Sequence, residues 1–187
     1  MQERIERQIE IAAPPTRVWR ALTDSRQFSE WFRVKLEGPF ETGRRVSGQI
    51  THPGYEHLRM EIEVQAIEPE VYFSYAWHPY AVDSTIDYSR ETPTLVEFRL
   101  QAIAEGTLLK VSESGFDRIP SQRRAEAFRM HSQGWERQME NVKAYAELGN
   151  GQRRSISELI IRTDQGNEAH PAGGNQTSLG PRRSRGE

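Results

Sequence analysis

Glu113 and His131 are the two side chains of this sequence whose types and placement invite chemistry. Glu113 ends the run "TLLKVSE", in which Leu109, Val111 and Glu113 alternate with polar residues and so share one face of a strand. His131 belongs to a second pattern: Phe128, His131, Trp135, Met139, Val142 and Ala146 recur every three or four residues, one stripe of a helix. A carboxylate and an imidazole within about 4–6 Å of one another favour each other's charged forms. Such a pair can anchor the polar head of an apolar ligand in a pocket, or work as the acid–base pair of an enzyme. The plainer alternatives are a wet rim carboxylate and a packing histidine.

These two residues need elements to bring them together. The stretch "SESGFD" (112–117) offers a means: Gly115 lets the chain leave the strand, and Phe116 folds back as a plug or as plain core. A helix follows from about Pro120 to Leu148, roughly 42 Å long at 1.5 Å per residue. Upstream, Ile5, Ile9 and Ile11 alternate as a strand. Pro14-Pro15 breaks it, and Val18, Trp19 and Leu22 begin a short helix. Thr23-Asp24-Ser25 stops that helix and caps a second one, "RQFSEWF".

About six strands are then expected. "LRMEIEVQAI" places Leu58, Met60, Ile62, Val64 and Ala66 on one face. "VYFSYAW" does the same for Val71, Phe73, Tyr75 and Trp77. "LVEFRLQA" turns Val96, Phe98 and Leu100 inward, and Glu105-Gly106 reads as a hairpin turn. Phe73, Tyr75 and Trp77 are core residues or, through the amphipathic shape of Tyr and Trp, ligand contacts. Phe128 and Trp135 face them from the helix. His52 is a loop histidine or reaches the mouth of the same space. "RIPSQRRAEAFR" puts arginines near a helix N-terminus, where the dipole disfavours them, and so suggests pairing with acidic partners or with a ligand carboxylate.

Other chemistries find no footing. The chain of 187 residues has no cysteine, and its formal net charge of −2 argues against a nucleic-acid partner. The 5 histidines show no metal-ligand spacing, so no metal and no cofactor are expected. There is no nucleophile elbow, phosphate loop or dinucleotide fingerprint. No apolar stretch would span a membrane, and no secretory signal opens the chain, which suggests a cytoplasmic protein. From residue 149 onward the sequence is rich in Gly, Asn, Gln, Ser and Arg; residues 149–187 are expected to form a disordered tail beyond a domain at 1–148.

Three motifs together resemble one family. "IEIAAPPTRVWRALTDSRQFSEWF", "GTLLKVSESGF" and "GWERQMENVKAYAE" are similar, in that order, to the SRPBCC/START-like superfamily, in the branch of the activator of heat-shock-protein-ninety ATPase. The resemblance covers residues 4–148. It implies an α+β helix-grip fold, with two short helices after the first strand and a curved antiparallel sheet wrapped around a long C-terminal helix. It also implies a cavity between sheet and helix, and this superfamily hosts several functions on that scaffold. The expected function is binding of an apolar small molecule with a polar head, at Glu113, His131, Phe128, Trp135, Phe73, Tyr75, Trp77 and Phe116. The alternatives are an enzyme of cyclase or hydrolase type and a co-chaperone-like domain with a heat-shock ATPase as partner.

Overall fold

The computed structural model describes residues 4–83 and 85–148; the expected tail at 149–187 lies outside the described residues. Strand β1 (Ile5–Ile11) leads into helices α1 (Pro15–Thr23) and α2 (Ser25–Phe32). Strands β2 (Val34–Leu36), β3 (Arg45–Ile50), β4 (Arg59–Glu68), β5 (Tyr72–Trp77), β6 (Thr94–Ile103) and β7 (Gly106–Ser114) follow, then helix α3 (Ser121–Glu147). The strands form one antiparallel sheet in the order β1-β7-β6-β5-β4-β3-β2. This is the α+β helix-grip architecture: the sheet curves around α3, whose Trp135, Met139, Val142, Tyr145 and Ala146 are buried.

Local chemistry sets the element boundaries. Pro15 opens α1, where its missing N–H costs nothing. The Asp24 carboxylate caps α2 by accepting from the Arg26 and Gln27 N–H groups at 3.0 and 3.4 Å. Trp31 Nε1 donates to the Ala21 carbonyl at 2.8 Å and locks α2 against α1.

Two details depart from simple alternation. A bulge between Val64 and Ala66 shifts the β4 register, so beyond it Ile67 packs on the core in the role expected of Ala66. Val71, expected inside, belongs to the β4–β5 turn beside Glu70 at φ 61° and is 53% exposed. The inward run of β5 is therefore Phe73, Tyr75 and Trp77.

The hairpin that delivers β7 turns on Ala104 and Glu105, one residue earlier than the sequence suggests, with Ile103 paired to Gly106. Gly106 has φ +151°, and a Cβ there would lie 2.0 Å from the Ile11 carbonyl oxygen of β1. No L-residue fits without moving backbone. Gly106→Ala is expected to lower stability by about 1–3 kcal/mol, read from the midpoint of urea unfolding at unchanged m-value. A shift within error would show that β1 can yield at this point.

Candidate functional site

Strand β7 runs between β1 and β6, so Glu113 sits opposite Ile5 on one side and Val96 on the other. Its side chain rises toward α3 and is fully buried. An isolated buried carboxylate would be very costly, so its oxygens must find donors. They find four. Oε1 accepts from Trp77 Nε1 at 2.8 Å and from the Thr94 hydroxyl at 2.6 Å. Oε2 accepts from Trp135 Nε1 at 2.7 Å and from His131 Nδ1 at 2.9 Å. Strands β5, β6 and β7 and helix α3 thus meet at one carboxylate.

His131 continues the network. Its Nε2 accepts from the backbone N–H of Tyr80 at 3.0 Å. An acceptor role for Nε2 leaves the proton on Nδ1, where it is donated to Glu113, so the imidazole here is neutral. Burial pushes the Glu113 carboxyl upward; the hydrogen bonds from His131, Thr94 and Trp135 oppose it, and the group is held below the ordinary carboxylate value. Burial, reinforced by the charge of Glu113, pushes the Tyr75 phenol well above its ordinary value. The Tyr75 hydroxyl has no hydrogen-bond partner among the described residues.

Residues 78–83 and 85–93 cover this end of the sheet, and Arg123 fastens them. In the first turn of α3, its guanidinium donates to the Pro79 carbonyl at 2.7 Å, pairs with the Glu91 carboxylate, and lies 4.8 Å from the centre of the Tyr88 ring. The pairing role suggested for the arginines near this helix terminus therefore belongs to Arg123. Sequence reasoning missed it as a site residue, along with Thr94 and Tyr80; only the misplaced charge at a helix start hinted at it.

Beside the carboxylate network lies a pocket of about 350 Å³. Phe32, Leu58, Met60, Trp77 and Trp135 supply its apolar wall, Tyr80 and Tyr88 its cover, and His131, Gly134 and Gln138 one side of α3. The rings of Phe32, Trp77 and Trp135 stand 6.0 to 6.3 Å apart. His78 also lines the pocket; burial lowers its pKa, and its Nδ1 has no partner among the described residues.

Of the residues singled out in the sequence, Trp77, His131 and Trp135 line this pocket. Glu113 lies behind them, joined to all three by hydrogen bonds. Phe73 and Tyr75 are packed deeper in the sheet interior, ring against ring with Phe98. Phe116 is fully buried against Phe128 and His131 near the start of α3 and is not among the lining residues. His52 is not among the lining residues. No cluster of metal-ligating side chains occurs among the described residues, and no helix there is long and apolar enough to cross a membrane.

A curved antiparallel sheet gripping one long helix, with a pocket at the helix's N-terminal half, defines a START-like helix-grip domain. Within that class, residues 12–147 match the family model described as "Activator of Hsp90 ATPase homolog 1-like protein", and the chain belongs to that family. Among solved structures it is similar to protein MLL2253 from Mesorhizobium loti, at 29% identity and a TM-score of 0.60, over 76% of this chain and 95% of that one. DynU16, a protein of the dynemicin biosynthetic locus, is 24% identical with a TM-score of 0.60, over 80% of this chain but 49% of its own. The Aha1 dimer from Colwellia psychrerythraea shares the fold at 17% identity and a TM-score of 0.59, over 79% of this chain and 98% of that one. No curated protein matches the sequence.

Removing the carboxylate strands four buried donors, so Glu113→Ala is expected to cost about 3–5 kcal/mol in denaturant unfolding. The folded carboxyl titrates below its unfolded value, so its contribution is complete above the ordinary carboxylate value of 4.5 and is lost as pH falls through the lower folded value. Glu113→Gln should flatten that acid limb of the stability curve. A Glu113→Gln curve parallel to wild type below this range would contradict the assignment.

Proposed function

We propose that this domain binds a small apolar molecule in the pocket between β4, β5 and the N-terminal half of α3. The observation that carries the reading is the contrast along α3. Met139, Val142 and Ala146 are close-packed, whereas the row His131, Gly134 and Gln138 borders open space walled by Phe32, Trp77 and Trp135. A cavity of a few hundred Å³ with largely apolar walls suits a small ligand. The residues proposed to touch it are Trp77, His131 and Trp135, with Glu113 holding them in place from behind.

An enzymatic role for Glu113 and His131 draws less support. Both carboxylate oxygens are occupied and out of reach of solvent, and the Tyr80 N–H covers His131 Nε2. A general base must reach the proton it abstracts. The co-chaperone reading rests on the family description alone.

Gly134 gives a direct test. It lies in the interior of α3, where glycine costs about 0.5–1 kcal/mol relative to alanine, and a Cβ there meets nothing within 4 Å. Gly134→Ala should raise stability by that amount. Gly134→Leu should keep the fold while narrowing the pocket, and should weaken binding of the uncharged dye N-phenylnaphthylamine about tenfold or more. Absence of saturable dye binding to the wild-type protein, followed by fluorescence, would end the binding-module reading.

A further inference from the structure

We propose that the pocket selects its ligand by charge: it accepts an apolar ligand with an uncharged or cationic head and rejects one with a carboxylate, because Glu113 holds an unneutralised negative charge directly behind the aromatic wall. The inference rests on the binding-module reading and adds the chemical class of ligand.

The donors around Glu113 are all neutral groups: two indole N–H groups, a hydroxyl and an imidazole. The imidazole is neutral because the Tyr80 N–H points at its Nε2. Hydrogen bonds from neutral donors stabilise a carboxylate without cancelling its charge. The other charged or titratable groups facing this space do not cancel it either. Arg59 at the mouth is exposed and lies 3.3 Å from Glu37, and Glu61 lies 3.7 Å from Arg45. Arg123 is paired with Glu91. Burial keeps His78 below its ordinary pKa and therefore uncharged at neutral pH.

The same hydrogen bonds shape what a ligand meets. Trp77 and Trp135 turn their N–H edges to Glu113, and Phe32 stands beside both rings. Aromatic faces attract cations and repel anions. A charge buried in a low-dielectric interior acts over several ångströms with little screening by salt. Wall and charge therefore discriminate in the same direction.

Three probes with one hydrocarbon body isolate the effect: methoxynaphthalene, naphthylmethylammonium and naphthoate, titrated into the full chain at neutral pH with tryptophan fluorescence as the readout. Naphthoate is expected to bind at least about tenfold more weakly than methoxynaphthalene, and the ammonium at least as tightly as methoxynaphthalene. The difference should persist at about 1 M salt, where the screening length is about 3 Å. In Glu113→Gln, naphthoate should approach methoxynaphthalene to within about threefold. Equal binding of naphthoate and methoxynaphthalene to the wild type would overturn the charge filter and leave the binding reading standing. Discrimination that vanishes in high salt would assign it to the exposed Glu61 and overturn the role of Glu113. Should methoxynaphthalene fail to bind, the pocket reading falls, and the filter with it.

Discussion

The structure depends on keeping one carboxylate charged and dry. A buried carboxylate without partners would take up a proton or unfold the protein around it. Glu113 avoids both because β5, β6 and α3 each bring a donor to it: Trp77, Thr94, and the pair His131 and Trp135. Each bond constrains an element. The indole of Trp77 sets how far β5 curls, and the indole of Trp135 and the imidazole of His131 set the depth and rotation of α3. The sheet grips the helix through apolar packing along its C-terminal half, but the polar cluster determines how the N-terminal half is held.

That division explains why the molecule has a pocket where it does. Where α3 carries Met139, Val142 and Ala146, side chains interdigitate with α1 and β1 as in any core. Further toward its start, the helix is held off the outer strands by aromatic rings, and the segment of residues 78–83 and 85–93 bridges the gap. That segment brings Tyr80, Ala81, Val82 and Tyr88 to the pocket lining. It is tied down by polar contacts, the Tyr80 N–H to His131 and the carbonyl and carboxylate groups gathered by Arg123. An arginine at a helix N-terminus, unfavourable for the dipole, is compensated there by Glu91.

Strand alternation and helical periodicity each specify a face, which makes the meeting of Glu113 and His131 one of the two readings the sequence leaves open, beside a wet rim carboxylate and a packing histidine. The same alternation identified Phe73, Tyr75 and Trp77 as inward. Depth was not readable. Only position along the strand separates Trp77, at the pocket, from Tyr75 and Phe73, sealed within the sheet, and periodicity carries no information about where a curved sheet parts from a helix. Nor could sequence show that both indoles would spend their N–H groups on Glu113, because χ angles decide that. The Tyr80 contact was invisible for another reason: it uses a backbone N–H in an irregular segment, at a residue with φ 51°, which no side-chain pattern encodes.

The register of β1 bears on the order in which the chain assembles. Ile5 pairs with Glu113, and Ile11 with Thr107, so the first strand closes onto the last across about three quarters of the described chain. Closing so long a loop carries an entropic cost that local hairpins avoid, and contacts of this kind slow folding. The β3–β4, β4–β5 and β6–β7 hairpins can form early from neighbouring sequence. Glu113 then waits on the exposed margin of a partial sheet, hydrated, until β1 and α3 arrive from opposite ends. Its dehydration is coupled to that final closure, so a half-assembled chain gains nothing from trapping the carboxylate early. The charge acts as a check on the last step of folding: only the arrangement that brings both indoles, the hydroxyl and the imidazole to it together can exclude water from it.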